Sequence, residues 1–304
     1  MPTIPTNSLL DRLADFLHSH DLRGLKTHKS QIRFVTHLRN AQKRLRALGM
    51  HKFAGSVDPH RRDFHPLKAS IQLCGSGDAD EALWLLFLTI HFGQDVPETI
   101  RLFYGRLGVG CWHWETVRRH PEVLQNWMRT NRKRLRKLKF GNHRKRRIMD
   151  PEHERGTWAV IRSFLDWVAE HGKGSPKRAF DKCVDDALDA GNAFDRLYAM
   201  LDILDFGRTA RFDLLCLLGN LRIFSLSPPH CYLSGATGPR QGALLMVTGR
   251  RDSKFESEFD QTVSELTAFL GVPMEAMEDA LCNWQKRRKS KRSPEQLGYL
   301  SSCS

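Results

Sequence analysis

The sequence lacks the residue patterns that mark disulfide-bonded, metal-binding and membrane-spanning proteins. Its seven cysteines are scattered, odd in number and never spaced Cys-x-x-Cys, which favours reduced thiols over a disulfide framework, a zinc site or an iron–sulfur cluster. The longest apolar run, from Ala82 to Ile90, is too short to cross a bilayer, and the first residues show no signal-peptide pattern. We therefore expect a cytoplasmic protein with no metal or other cofactor and no membrane partner.

The alternation of apolar and polar residues that is typical of β-strands is also nearly absent. Apolar residues recur instead at helical spacing, as Leu9, Leu13 and Phe16 do near the start of the chain. Residues 81–92 (EALWLLFLTIHF) are apolar nearly all round, which predicts a central, buried helix. The sequence therefore predicts an all-α protein.

Residues 51–79 differ from this pattern because they are rich in Pro, Gly, His and Ser. This composition predicts a loop or linker. The spacing of His51, His60 and His65 matches no metal-ligand pattern, so we interpret them as solvated loop histidines.

Positive charge is in large excess. The chain has 48 Lys and Arg against 34 acidic residues, a net charge of +14, which indicates a polyanionic partner and favours nucleic acid. The excess is densest at 129–147 (RTNRKRLRKLKFGNHRKRR), with eleven basic residues and no acid. A continuous helix of this density would repel itself, and a phosphate backbone would relieve the repulsion. A disordered basic arm is the alternative, but the turn residues 140–143 (FGNH) favour a shaped site.

A glycine-rich turn lies within residues 206–247. Helical spacing predicts one helix near Phe206 to Leu218 and another after Pro239, with Gly235 and Gly238 in the turn before it. Backbone amides at such a turn can bind a phosphate. A plain surface turn between two core helices is the alternative.

Five stretches together carry a resemblance to a known family: EALWLLFLTIHFG (81–93), KFGNHRK (139–145), FGRTARFD (206–213), YLSGATGPRQGA (232–243) and EDALCNWQK (278–286). Over about residues 80–287 the chain resembles the third clade of the alpha-glutamyl/putrescinyl thymine pyrophosphorylase family. Members of this family are regarded as related to helix-hairpin-helix DNA glycosylases. The resemblance implies a helix-hairpin-helix glycosylase-like, all-α domain at 76–287. Composition predicts a basic helical region and linker at 1–75, outside the resemblance, and a basic mobile tail at 288–304.

The resemblance also implies an enzyme that processes bases in double-stranded DNA. The first expectation is a metal-independent DNA glycosylase that flips and excises a hypermodified, phage-type pyrimidine, leaves an abasic site and acts in defence against phage. The second is a transferase or pyrophosphorylase that acts on 5-hydroxymethylpyrimidine pyrophosphate in DNA. A non-catalytic protein that binds the DNA backbone is the third.

Base excision passes through a sugar cation and requires a carboxylate near C1′. Asp213, at the edge of an apolar helical face, is one candidate, and an ion pair with an arginine is its alternative role. Asp279 is the other candidate, with Asn283 one helical turn further along, and a solvent-facing pair is the alternative. Asp252 lies in a charged loop and ranks below both.

The expected DNA contacts lie in three of the family stretches, 139–145, 206–213 and 232–243. The last of these contains the glycine-rich turn. These residue types donate hydrogen bonds to phosphates and bases or expose backbone amides. The predicted contact residues are Lys139, Asn142, His143, Arg144, Lys145, Arg208, Arg211, Gly235, Gly238 and Arg240.

Overall fold

The computed structural model of the protein describes residues 4–49 and 56–286. Within these ranges the chain is helical, with no strand and one isolated β-bridge between Ile148 and Gly156, so the predicted all-α class is confirmed. The described residues contain fifteen α-helices: α1 (Thr6–Ser19), α2 (His28–Gly49), α3 (Pro66–Gly75), α4 (Ala79–Phe92), α5 (Pro97–Tyr104), α6 (Trp114–Arg119), α7 (Pro121–Thr130), α8 (Arg132–Leu135), α9 (Thr157–Gly172), α10 (Pro176–Asp185), α11 (Ala190–Met200), α12 (Arg208–Asn220), α13 (Gly238–Thr248), α14 (Glu258–Leu270) and α15 (Met274–Trp284).

The chain forms two compact units. One contains Met1–Met50 together with Ser227–Ser304, and the other contains His51–Leu226. These units are defined by contacts, whereas the boundaries that we predict at residues 75 and 287 follow composition and the extent of the family stretches. The predicted tail at 288–304 lies outside the described residues.

Helix α4 is the centre of the unit formed by His51–Leu226. Every residue from Glu81 to Phe92 is buried, as expected of a helix that is apolar on all faces. Asp78 caps its N-terminus by accepting a hydrogen bond from the Glu81 amide, and Gly93 ends it with a φ of 110°. The predicted central helix is confirmed.

Aromatic side chains surround α4. The Phe87 and Phe164 rings stack with centroids 4.0 Å apart, and Trp84 Nε1 donates to the carbonyl oxygen of Trp112 at 2.7 Å. Trp112 and Trp114 are themselves buried. Both tryptophans therefore belong to the core rather than to a surface that could stack on bases.

The prediction of a loop throughout residues 51–79 is wrong, because α3 occupies Pro66–Gly75. Leu67 and Ala69 are buried, and α3 packs on α4. Pro66 lies in the first turn, where proline is tolerated because the missing amide has no intrahelical partner there. Residues 51–79 as a whole are rich in Pro, Gly, His and Ser, so composition alone did not indicate the short apolar face of α3.

The unit formed by the two ends of the chain contains α1, α2, α13, α14 and α15. Leu9, Leu13 and Phe16 of α1 are buried in its core, as predicted. Helices α13 and α15 approach closely at Gly242, where a Cβ atom would lie 2.3 Å from the carbonyl oxygen of Leu281. A side chain there would force the two helices apart.

Both helices that we predict around the glycine-rich turn are present, as α12 and α13, but only α13 adjoins the turn. Helix α12 ends at Asn220, and residues 221–232 contain no helix. Pro228 and Pro229 lie in this segment and cannot supply the amides that helical hydrogen bonds require. A single 3-10 turn, Leu233–Gly235, precedes α13 instead. The relation to helix-hairpin-helix proteins stays a prediction.

Candidate functional site

The basic run at 129–147 forms neither a continuous helix nor a chain of free cations. Helix α7 ends at Thr130, α8 spans one turn, and a loop follows with a 3-10 turn at Asn142–Arg144. Acidic side chains from outside the run neutralise part of its charge. The ion pairs are Arg129 with Glu152, Arg132 and Arg136 with Asp150, and Arg144 with Asp213.

The loop is attached to the C-terminal end of α4. The Gly141 amide donates to the carbonyl oxygen of Phe92 at 2.7 Å, and the Asn142 amide donates to Asp95 Oδ2 at 3.0 Å. A Cβ atom on Gly141 would lie 2.0 Å from Asp95 Oδ1, so only glycine fits there without a shift. Two of the family stretches, 81–93 and 139–145, therefore contact each other.

A cavity of about 250 Å³ lies where these stretches meet α12. Three of the five family stretches contribute to its lining. The predicted residues Asn142, His143, Arg144 and Asp213 all line it, whereas Gln94 and Asp95 were not predicted. The full lining consists of Ile90, Gly93, Gln94, Asp95, Asn142, His143, Arg144 and Asp213.

Arg144 holds the Asp213 carboxylate in place. The Arg144 side chain is 7% exposed; its Nε donates to the carbonyl oxygen of Ile90 at 2.9 Å and its Nη2 to Asp213 Oδ2 at 3.0 Å. The described residues donate no hydrogen bond to Asp213 Oδ1, and the Asp213 side chain is 32% exposed. One carboxylate oxygen is thus fixed by arginine, while the other is free to meet a ligand in the cavity.

Burial raises the pKa of Asp213 above its ordinary value. The positive charge of Arg144 and its hydrogen bond lower the pKa of Asp213, but burial outweighs them. A titratable group with a raised pKa in a cavity is a functional-site candidate. The protonated form of Asp213 therefore persists to a higher pH than that of an ordinary aspartate.

His91 lies in the last turn of α4 and contacts Arg147 at the end of the same loop. It is buried, and burial together with the charges of Arg147 and Arg144 holds its pKa well below its ordinary value. Arg147 Nη1 lies 3.2 Å from His91 Nδ1, and Thr157 Oγ1 lies 3.1 Å from His91 Nε2. His91 is therefore a core histidine.

The other candidate carboxylates lie in the unit formed by the chain ends. Asp279 pairs with Arg44, whose Nε donates to Asp279 Oδ2 at 3.1 Å, and Asn283 Nδ2 donates to Asp279. The Arg44 contact joins α15 to α2, whereas the Asn283 contact lies within α15. Asp252 is mostly exposed and pairs with Arg250, which lowers the pKa of Asp252. A catalytic role for Asp279 and Asn283 stays a prediction, and their contacts are those of a structural ion pair.

The glycine-rich turn combines exposed and packed residues. Ser234, Gly235 and Thr237 are exposed, whereas a Cβ atom on Gly238 would lie 2.6 Å from Cys282 Sγ. The Leu233 amide already donates to Asp260 Oδ2 at 2.9 Å. Phosphate binding at this turn stays a prediction, and close packing on α15 is a sufficient reason for Gly238.

The remaining predicted arginines have protein partners. The Arg208 guanidinium lies 4.4 Å from the Phe212 ring centroid, and that of Arg240 lies 4.9 Å from the Phe255 ring centroid. Arg211 donates to two backbone carbonyl oxygens. Lys139 and Lys145 are exposed and line a separate cavity.

Two further properties concern the described residues only. No group of three or more His, Cys, Asp or Glu side chains within 4–49 and 56–286 is placed to hold a metal ion. In the same part of the chain, the length and apolar character needed to traverse a bilayer are found in no helix.

Comparison with known proteins identifies a family. The model of alpha-glutamyl/putrescinyl thymine pyrophosphorylase clade 3 matches residues 33–293, so the match begins within α2, earlier than the quoted stretches. No curated protein matches the chain, and no solved structure matches it. The family description implies a DNA-modifying enzyme of the thymine pyrophosphorylase type. Because the match covers most of the sequence and includes every residue that lines the Asp213 cavity, the chain belongs to the alpha-glutamyl/putrescinyl thymine pyrophosphorylase family, clade 3.

Proposed function

We propose that this protein acts on a modified thymine that is extruded from DNA into the cavity beside Asp213, and that Asp213 is the catalytic carboxylate. One observation carries the proposal. Asp213 places an oxygen without a described protein donor in a cavity where three family stretches meet. The volume of about 250 Å³ suits a single base and not a duplex, so the base must leave the helical stack.

The first candidate reaction is excision of the base. As the C1′–N bond stretches, positive charge develops on the sugar, and ionised Asp213 stabilises it or takes a proton from the attacking water. Water adds to C1′, and the base leaves with the bonding electron pair and gains a proton. Asn142 and His143 supply hydrogen-bonding groups for the extruded base. The product is an abasic site, and a role in defence against modified phage DNA is part of this candidate.

The second candidate is group transfer, which the family description favours. In a 5-hydroxymethylpyrimidine pyrophosphate, the exocyclic C–O bond breaks and pyrophosphate leaves with the electron pair. Positive charge then develops on the methylene carbon instead of the sugar. The same carboxylate stabilises that carbon or accepts the proton released when an amine attacks it.

The products distinguish these candidates. Plain DNA, phage DNA with hypermodified thymine and DNA bearing 5-hydroxymethyluracil pyrophosphate are each incubated with the protein, with and without an amine such as putrescine. Free base with an abasic site indicates excision, whereas released pyrophosphate with a base adduct indicates transfer. If every substrate gives binding alone, the proposed catalytic function is wrong and a backbone-binding role takes its place.

A further inference from the structure

A second cavity, of about 500 Å³, is lined by the same loop. Its charged lining residues are Arg136, Lys139, Lys145, Arg147 and Asp150. Four of the five are basic. The loop from Lys139 to Arg147 therefore contributes to both cavities. Residues 142–144 line the cavity beside Asp213, and Lys139, Lys145 and Arg147 line the second cavity.

The single acid in this cavity cannot balance the four bases. Asp150 already pairs with both Arg132 and Arg136, so its one negative charge is shared. Lys139 and Lys145 are exposed and form no ion pair within the described part of the chain. The cavity therefore has more positive charge than the acidic side chains of the described residues neutralise.

Arg147 adds a half-buried cation whose hydrogen-bond partners are uncharged. Its Nη1 contacts His91 Nδ1 at 3.2 Å, and its Nη2 donates to the backbone carbonyl oxygen of Asp205 at 2.6 Å. The carboxylate of Asp205 pairs with Arg155 instead. Burial and the nearby charge of Arg144 lower the pKa of Arg147 to about 10, so Arg147 stays charged at neutral pH. A nearby anion would offset this half-buried charge.

We propose that this cavity binds a phosphate group, supplied either by the backbone of bound DNA or by free pyrophosphate. Lys139 and Lys145 contact the oxyanion directly, and Arg147 attracts it from the wall of the cavity. Phosphate binding in this cavity depends on the proposed action on DNA only if the phosphate comes from the DNA backbone. With a base beside Asp213, the loop would hold the base on one part and a phosphate on another.

The test begins with inorganic pyrophosphate and the full chain in titration calorimetry at low salt. The double variant Lys139→Gln/Lys145→Gln removes two cations from the cavity, and Lys43→Gln/Lys182→Gln removes two exposed lysines that do not line it. We expect the first variant to lose about tenfold in pyrophosphate affinity for each lysine, the amount of a charge-assisted hydrogen bond, and the second to stay within about twofold. No binding by the wild type, or equal losses in both variants, would overturn the proposal.

Competition with DNA identifies the source of the phosphate. If a backbone phosphate occupies the cavity, saturating pyrophosphate weakens duplex binding by the wild type but not by Lys139→Gln/Lys145→Gln. If the cavity takes only free pyrophosphate, duplex affinity is unchanged. Asp213→Asn separates this proposal from the proposed function, because pyrophosphate affinity should persist in that variant whether or not catalysis is lost.

Discussion

At the scale of single residues, the Arg144–Asp213 pair is the feature on which the site depends. Arg144 is buried and donates to both the Ile90 carbonyl oxygen and Asp213. It therefore fixes α12 to the end of α4 and also orients the carboxylate. Although we expected Arg144 to contact DNA, its guanidinium is engaged within the protein, so in our proposal it acts on DNA only through Asp213.

Removal of Arg144 should destabilise the protein. Arg144→Met leaves a partly buried carboxylate without its cation, which we expect to lower the free energy of unfolding by about 1–3 kcal/mol. Arg129→Met is the control, because the Arg129–Glu152 pair is exposed and should contribute less than about 1 kcal/mol. Urea denaturation of both variants measures the difference, and an equal effect would show that the Arg144 pair contributes no more than a surface pair.

The raised pKa of Asp213 predicts the acidic side of the pH–rate profile. Asp213 is an acid that burial shifts upward, so its catalytic carboxylate form is lost at higher pH than for an ordinary aspartate. Turnover should therefore fall as pH decreases through the raised pKa, above the usual value of about 4. The contribution of Asp213 to the free energy of unfolding should instead increase as pH decreases through the same range. A raised pKa means that the folded state binds this proton more tightly than the unfolded state does. An activity that stays flat down to pH 4 would contradict ionised Asp213 as the catalytic form.

At the scale of elements, the sequence predicted the long and strongly patterned helices best. Helix α4 was predictable because its apolar residues cover every face, and α15 because Pro273 precedes a clear apolar stripe. Helices α6 and α7 were not predicted, since α6 has only six residues and α7 lies beside a dense run of charge. Short helices of this kind depend on their packing partners more than on local pattern.

The candidate site was predictable only in part, for a related reason. Asp213, Asn142, His143 and Arg144 stood out within family stretches, but the partners of the basic run do not lie within it. Asp150 and Glu152 follow the run in sequence and form ion pairs with its arginines. The sequence of the run alone therefore gives no sign that these arginines are paired. The sequence contains only one weak indication of a role for Asp95, namely that it lies two residues after Gly93, which ends α4. Its contact with the Asn142 amide crosses 47 positions of sequence.

Gly141 should be the most restrictive position in the loop. In Gly141→Ala the new Cβ atom would meet Asp95 Oδ1, which must move and give up its hydrogen bond to the Asn142 amide. We expect a loss of about 1–3 kcal/mol in the free energy of unfolding. Gly207→Ala is the matched control, because no atom lies within 4 Å of its added Cβ. Equal melting temperatures for the two variants would mean that the loop tolerates the displacement.

At the scale of the whole molecule, the net charge of +14 is the property that most favours DNA as partner. Several bases of the run are paired with acids, but Lys133 and Lys137 are exposed and form no ion pair within the described residues. These lysines are therefore available for phosphates. The family match covers 33–293 and thus includes residues from both compact units.

Binding to duplex DNA should depend steeply on salt. Each phosphate contact adds about 0.9 to the slope of log affinity against log salt concentration, so Lys133→Gln/Lys137→Gln should reduce the slope by about 2. The reduction should be the same for unrelated sequences, because phosphates carry no base identity. Fluorescence anisotropy between low and physiological salt measures the slope. A slope near zero, or the same reduction in Lys43→Gln/Lys182→Gln, would contradict a DNA-binding role for the basic run.

Asp213 and Asp279 are the two candidates for the catalytic carboxylate, and we propose Asp213. Single-turnover rates on the reactive DNA substrate, measured together with melting curves for Asp213→Asn and Asp279→Asn, distinguish the two carboxylates. We predict that Asp213→Asn stays folded, with a lower melting temperature because its ion pair with Arg144 is weakened, and that it reacts roughly two to three orders of magnitude more slowly, because the charge that stabilises the developing cation is gone. Asp279→Asn should weaken the ion pair with Arg44 and lower stability while it reacts near the wild-type rate. A normally folded Asp213→Asn variant that reacts at the wild-type rate would contradict the account.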